Sequence, residues 1–173
     1  MRLAFFHGPS AQRMAQARLL ALYRAKKVDR HYQHGRDNVW VPTRSKGGNV
    51  PHMLAVAQGW IDAGMPSDFE REYVVGHVRA DALFWIGRTP YFLEVERSHN
   101  SLARKIEGYQ ALWRDHGTWQ EQFASFPFLL VVVPSPAHVE RAESIPSPPK
   151  AVCTASQLAQ VVSSTFTRAR SSP

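Results

Sequence analysis

Two short apolar stretches followed by an amphipathic helix, at residues 79 to 113, restrict the fold of this chain more than any other feature. ALFWI and YFLEVE are separated by the turn-like GRTP, which predicts two strands joined as a hairpin. Ser98 or Asn100 then caps a helix over about residues 101 to 115. The later run FPFLLVVV is β-branched and ends at Pro134, as expected of a buried strand. The predicted order is helix, β-hairpin, helix, then β-β-β-α-β-α, which indicates an α/β fold with a mixed β-sheet flanked by helices.

Three carboxylates lie on the two predicted strands. Asp81 belongs to the first strand, and Glu94 and Glu96 share one face of the second because side chains alternate along a strand. Neighbouring acids between flanks as apolar as ALFWI and YFL are unfavourable unless a positive charge offsets them. Mg²⁺ or Mn²⁺, which prefer oxygen ligands, would do so. We therefore predict a divalent-metal site held by Asp81 and Glu94; the alternative is an exposed acidic strip.

A lysine falls within the predicted packing face of the following helix. That face is formed by residues at spacings of three and four, namely Leu102, Ile106, Tyr109 and Trp113. Lys105 lies inside this stripe, and a lysine directed into a packing face usually has an anionic partner. The upstream carboxylates would provide that partner. The alternative is a side chain whose stem covers apolar surface while its ammonium group reaches solvent.

These residue types predict metal-dependent hydrolysis of a phosphodiester. A metal held by Asp81 and Glu94 would polarise the phosphate and lower the pKa of a bound water. Lys105 would stabilise the charge that develops in the transition state. Glu96 is either a second metal ligand or a group that orients the water, and Glu72, expected on the preceding strand, is a supporting acid.

The net charge predicts a polyanionic partner. The chain has 173 residues with 21 Lys and Arg against 14 Asp and Glu, a formal charge of +7 and a pI near 10.0. This balance favours nucleic acid bound through its phosphate backbone. The candidate DNA contacts are Arg13, Arg24, Lys27, Arg36, Arg79 and Tyr109, although Tyr109 is equally suited to the core.

Cysteine content and hydropathy predict the compartment. The single cysteine, Cys153, excludes an internal disulfide and indicates a reducing, cytoplasmic environment. It follows an apolar run, which favours a buried thiol over a nucleophile. The longest apolar run is well short of the roughly 20 residues that span a bilayer, so no membrane partner is expected.

The N-terminal part of the chain predicts a helix and a hairpin. Ser10 would cap a helix to about Lys27, and the extended pieces VDRHYQH and NVWVPT follow, joined by GRD. A helix followed by a hairpin is typical of the second half of a winged helix, in which the wing would be at about residues 28 to 43. The short segment before the helix leaves the winged helix incomplete, or else the hairpin belongs to the main fold. A homodimer or a partner protein would complete such a half-domain.

The central residues resemble the PD-(D/E)XK nuclease superfamily, which places an acid on one strand and acid-any-lysine on the next, beneath a helix. Asp81 matches the first acid and Glu94 the second, whereas Glu96 stands where the lysine is usual. Some members take the lysine from the following helix, and Lys105 fits that variant. The phrases VRADAL, FLEVERS and KIEGYQALW are also similar to the replication-relaxation family of plasmid and mobile-element proteins, with Ala80 in place of the usual proline.

The resemblance implies a restriction-endonuclease-like core that cleaves DNA with Mg²⁺ or Mn²⁺ during plasmid or mobile-element replication. It divides the chain into a partial winged-helix-like segment (residues 1–47), a nuclease-like domain (48–165) and a disordered tail (166–173). The alternative is a non-catalytic DNA-binding replication or relaxation factor that retains the nuclease fold. The acid at position 96 and the positive charge favour this alternative.

Overall fold

The structure, a computed structural model of the chain, describes residues 10–31, 39–42, 50–66, 68–97 and 102–170. It divides into two compact units, Met1–Leu54 and Ala55–Pro173. The predicted boundary after residue 47 lies outside the described residues.

The first unit contains a helix followed by a hairpin. The helix is α1 (Ala11–Arg24), and the strands are β1 (Val28–His31) and β2 (Val39–Pro42). The strands are antiparallel, and Tyr23 at the end of α1 packs edge-on against Trp40 with ring centroids 5.8 Å apart. The helix and hairpin expected from the sequence are therefore present, and their identity as part of a winged helix stays a prediction.

The second unit is built on a five-stranded sheet. Helix α2 (Val50–Asp62) crosses the boundary between the units and leads into β3 (Phe69–Arg71), β4 (Val74–Val75), β5 (Val78–Arg79), β6 (Ala82–Ile86) and β7 (Thr89–Val95). The chain continues through α3 (Leu102–Arg114), α4 (His116–Gln120), β8 (Phe128–Val133), α5 (Pro136–Glu143), β9 (Lys150–Thr154) and α6 (Leu158–Arg170). The strand order is β3-β6-β7-β8-β9, and β4 and β5 form a separate small hairpin.

Strand direction changes in the middle of the sheet. β3, β6 and β7 pair antiparallel, whereas β8 and β9 run parallel to β7. A parallel neighbour requires a crossover connection, and α3 and α4 supply it between β7 and β8. The predicted α/β fold with a mixed sheet flanked by helices is therefore confirmed.

The two faces of the sheet bury separate apolar clusters. On one face, Leu83, Phe92 and Leu129 pack with the buried side of α3. On the other face, Leu93 and Leu130 pack with α2 and α6. Alternation along β7 therefore places Glu94, like Phe92, on the face covered by α3.

Three elements differ from the prediction. The Pro- and Ser-rich stretch PSPAHVERAESIPSPP predicts a loop with one helical turn, but residues 136–143 form α5, which starts with Pro136 in its first turn and buries Ala142. The extended stretch before β6 is interrupted by the β4–β5 hairpin. Helix α6 continues to Arg170 and so includes part of the polar stretch expected to be a tail.

Two further observations concern the single cysteine and the length of the helices. Cys153 is buried in β9, and burial raises the pKa of its thiol to about 11, which agrees with a packed side chain rather than a nucleophile. Among the described residues, no helix is both long and apolar enough to cross a membrane.

Candidate functional site

Strand register brings the first two acids together. Ala82 of β6 pairs with Leu93 of β7, so Asp81, one residue before β6, lies opposite Glu94. The Asp81 carboxylate is fixed there because its Oδ2 accepts a hydrogen bond of 2.8 Å from the backbone N–H of Val95. The predicted hairpin contact between these acids is therefore present.

Helix α3 adds a cation to the acids. Lys105 Nζ lies 2.6 Å from Glu94 Oε2 and 3.8 Å from Asp81 Oδ2, so both carboxylates surround one ammonium group. The Lys105 side chain is 32% exposed, compared with 14% for Asp81 and 2% for Glu94. The lysine thus has the anionic partner expected of it, and it is the most exposed of the three side chains.

A tyrosine completes the hydrogen bonding of Glu94. Tyr109, one helical turn after Lys105, donates its hydroxyl to Glu94 Oε1 at 2.6 Å. Tyr109 is buried in the core, where the Glu94 carboxylate is its hydrogen-bond partner. Each Glu94 oxygen therefore has a partner from α3, and burying this acid does not leave it without hydrogen bonds.

Burial and like charge control the protonation of this cluster. Burial raises the pKa of Glu94 to about 7, and the facing Asp81 adds to the rise, while Lys105 and Tyr109 oppose it. Burial acts to lower the pKa of Lys105, but the charges of Glu94, Asp81 and Glu96 together raise it. Burial and then Glu94 raise the pKa of Tyr109 well above its usual value, so its hydroxyl stays protonated and donates. Glu94 thus changes its charge near neutral pH.

Glu96 is buried directly after the end of β7. Its backbone N–H donates to Val132 O at 2.8 Å, which continues the parallel pairing beyond the strand. Its carboxylate Oε1 accepts the N–H of Arg97 at 3.0 Å. The negative charge of Glu96 also contributes to the raised pKa of Lys105.

The other predicted site residues that the structure describes have exposed side chains. Glu72 follows β3 with φ of 53° and an exposed side chain, and its backbone N–H donates to Asp81 O at 3.0 Å. Arg79 is exposed on β5. In the first unit Arg13, Arg24 and Lys27 are exposed, and Arg36 lies outside the described residues.

Carboxylates are the groups of this cluster that could hold a metal ion. Among the described residues, no group of three or more His, Cys, Asp and Glu side chains is arranged as a metal cage. Asp81 and Glu94 nevertheless offer carboxylate oxygens around one point, and Mg²⁺ commonly binds through one or two carboxylates while keeping its waters. Burial is the main reason for the raised pKa of Glu94, and the charge of Asp81 adds to it.

One contribution to the site was not predicted from the sequence, and a second was predicted only as one of several alternatives. The Val95 N–H that holds Asp81 depends on strand register, which no local pattern reveals. The bond from Tyr109 to Glu94 had a partial signal, because Tyr109 follows Lys105 by four residues and therefore lies on the same side of the helix.

Comparison with known proteins adds little to this picture. No family model and no curated protein matches the chain. Among solved structures the chain is similar to protein VC1899 from Vibrio cholerae, with 14% identical residues and a TM-score of 0.38. The match covers 94% of this chain but 44% of VC1899, so the chain spans less than half the length of that protein. A likeness of this size carries no argument about function.

Proposed function

We propose that this protein is a metal-dependent DNA endonuclease that hydrolyses phosphodiesters at Asp81, Glu94 and Lys105. The observation that carries the proposal is the position of Lys105, whose ammonium lies 2.6 Å from Glu94 and 3.8 Å from Asp81. Two carboxylates and one lysine at the end of antiparallel strands supply a metal-binding function and a cationic function in one place. The order of strands and helices around them is compatible with the nuclease superfamily that the motifs resemble.

Each side chain of the site would have a different role in hydrolysis. Lys105 is the most exposed member, so it would contact the phosphate and offset charge as water adds to phosphorus and the P–O bond to the leaving group breaks. Tyr109 and the Val95 N–H position the two carboxylates rather than touching the substrate. Asp81 and Glu94 would hold Mg²⁺ or Mn²⁺, which when bound supplies Lewis acidity towards the phosphate and a more acidic water.

The test is cleavage of supercoiled plasmid and of single-stranded DNA with Mg²⁺ or Mn²⁺. The wild-type protein is expected to nick or cut DNA in metal and to be inactive in EDTA. Asp81→Asn preserves the shape of the side chain and removes its charge, so we expect activity to be lost. Glu107→Gln removes a charge from an exposed position of α3 and should leave activity unchanged. Equal cleavage by the wild type and Asp81→Asn would exclude this site.

A non-catalytic DNA-binding factor is the second candidate, and two observations favour it. Glu96 stands where the resembling nucleases usually carry lysine, and both Glu94 oxygens are engaged by side chains of α3. Such a network would serve to hold α3 on the sheet while basic residues bind DNA. This candidate predicts salt-sensitive DNA binding without cleavage in either metal. Assembly through the N-terminal unit, with a second copy or a partner, is compatible with both candidates.

A further inference from the structure

The Lys105 ammonium lies close to both of the candidate metal ligands. Its Nζ is 2.6 Å from Glu94 Oε2 and 3.8 Å from Asp81 Oδ2. An Mg²⁺ ion bonded to Glu94 Oε2 at about 2.1 Å would lie within about 4.7 Å of this ammonium, in whichever direction the ion approached the oxygen. A divalent ion and the lysine would therefore meet at the same carboxylate oxygen.

Of the two side chains that donate to Glu94, Lys105 is the one that is able to leave. Tyr109, which donates to Oε1, is buried, and its ring packs against Phe92 with centroids 5.3 Å apart. Lys105, which donates to Oε2, is partly exposed and has a flexible unbranched stem. Its ammonium can turn towards solvent while the stem stays on α3, whereas Tyr109 cannot move without disturbing the core.

Charge makes the lysine and a metal ion competitors for the two acids. In the metal-free protein the ammonium offsets part of the negative charge of Asp81 and Glu94. The two carboxylates would offset both charges of a divalent ion, so an ammonium that stayed in place would then face a like charge. This repulsion is stronger than in water, because Glu94 is buried. Binding of a metal ion therefore favours departure of the ammonium.

We propose that Lys105 holds the place of the metal ion in the metal-free protein, and that binding of Mg²⁺ or Mn²⁺ at Asp81 and Glu94 releases its ammonium to contact a phosphate of the substrate. The inference rests on the proposed function. Metal and DNA then bind cooperatively, because the metal ion frees the cation that pairs with the phosphate, and the phosphate keeps that cation away from the carboxylates. By linkage, each ligand raises the affinity for the other by the same factor.

The test is the rate at which acetic anhydride acetylates Lys105 in the wild-type protein at pH 8, measured by mass spectrometry of its peptides. Acetylation requires the neutral amine, and the raised pKa of Lys105 keeps the amine charged in the metal-free protein. Saturating Mn²⁺ should increase the rate about tenfold over that in EDTA, which is the gain in neutral amine when a pKa falls by about one unit. Adding a nine-residue oligothymidine to the Mn²⁺ protein should slow the reaction again, because a phosphate then pairs with the ammonium.

Three controls accompany the acetylation rates. Lys150 is also hydrogen-bonded, through its ammonium to Ile145 O, and lies on β9, two strands away from β7, so its rate should be the same in all three conditions. Asp81→Asn removes one metal ligand, and Mn²⁺ should then no longer accelerate acetylation of Lys105. Glu107→Gln, at an exposed position of α3, should keep the acceleration. Electron paramagnetic resonance of free Mn²⁺ measures metal binding independently of acetylation.

The outcomes separate the inference from the function on which it rests. If Mn²⁺ binds but the acetylation rate of Lys105 stays at its value in EDTA, the exchange is overturned and the nuclease proposal stands. An equal acceleration in Asp81→Asn also overturns the exchange, because the effect then arises from metal bound elsewhere. A rate that stays high after DNA has bound overturns the contact between Lys105 and the phosphate. Absence of Mn²⁺ binding to the wild-type protein, with and without DNA, overturns the proposed function and the exchange together.

Discussion

At the scale of single residues, the decisive feature is a glutamate buried beneath a helix. Glu94 is 2% exposed and takes its hydrogen bonds from Lys105 and Tyr109. The desolvation of its charge is only partly offset, which is why its pKa is raised to about 7. Stability and any activity that depends on Glu94 should therefore vary with pH up to about 7.

The first prediction concerns the pH dependence of stability. The pKa of Glu94 is about 7 in the folded state, against an ordinary value of 4.5. Between these two pH values the folded state therefore binds more protons than the unfolded state. The free energy of unfolding should consequently fall as pH rises from about 4.5 to 7 and then level off. Urea unfolding in EDTA at several pH values measures this. Glu94→Gln should remove this slope, whereas the exposed Glu107→Gln should keep it. Parallel curves for the wild type and Glu94→Gln would contradict the assignment.

The second prediction concerns the tyrosine. Tyr109→Phe removes the donor to Glu94 Oε1 and leaves a buried oxygen without this partner, at a cost of about 1–3 kcal/mol. Tyr73→Phe is the matched control, because the Tyr73 hydroxyl donates to Gln122 at an exposed position. Urea unfolding at pH 8, where Glu94 is largely ionised, should show a loss in Tyr109→Phe that clearly exceeds the loss in Tyr73→Phe. Equal losses of stability in the two variants would mean that the buried hydrogen bond to Glu94 stabilises the fold no more than the exposed one to Gln122.

At the scale of secondary-structure elements, α3 shows what periodicity can and cannot predict. The sequence predicts its extent closely, about residues 101 to 115 against Leu102–Arg114. It also predicts Leu102, Ile106 and Tyr109 on the buried face, but Trp113 is 40% exposed and Leu112 is buried instead. Both positions satisfy a period near 3.6, so only the position of the sheet beneath the helix decides between them.

The β4–β5 hairpin, which precedes Asp81, yields the third prediction. Gly76 has φ of +55°, and a Cβ there would lie 2.9 Å from Thr118 Cγ2 on α4. Gly76→Ala should therefore destabilise the fold by more than about 1 kcal/mol, through both strain and the clash. Thr118→Ser removes that methyl group while keeping the hydroxyl that donates to Asp115.

A double-mutant cycle checks this contact by urea unfolding. The loss from Gly76→Ala should be smaller in the Thr118→Ser background, because only the backbone strain then remains. Additive losses of stability from the two substitutions would show that a Cβ at residue 76 does not clash with Thr118 on α4.

At the scale of the whole molecule, sequence and structure agree most where a pattern is local. The strands holding Asp81 and Glu94 and the helix carrying Lys105 follow from short-range periodicity and turn residues. The β4–β5 hairpin and α5 do not, because short elements owe their stability to tertiary packing rather than to their own sequence.

The fourth prediction follows from the charge of +7 and applies to both functional candidates. DNA affinity should fall as salt rises, because binding releases counterions from the phosphates. Replacing Arg13 and Arg24 with alanine together should lower the slope of log affinity against log salt by about 1.8 for duplex DNA, if each contacts one phosphate. Alanine at the exposed Arg114 and Arg141 controls for total charge. Equal slopes for the two double variants would show that α1 has no particular role in binding.

The central claim is that a lysine supplied by a helix serves a metal-dependent nuclease site, and single-turnover DNA cleavage in Mn²⁺ tests it most directly. Lys105→Met should lower the cleavage rate by about 10²–10³-fold, as expected when one group that stabilises transition-state charge is removed. Arg104→Met, which removes the same charge from the neighbouring exposed position, should cleave at the wild-type rate. Equal rates in Lys105→Met and the wild type, with both proteins folded, would contradict the account.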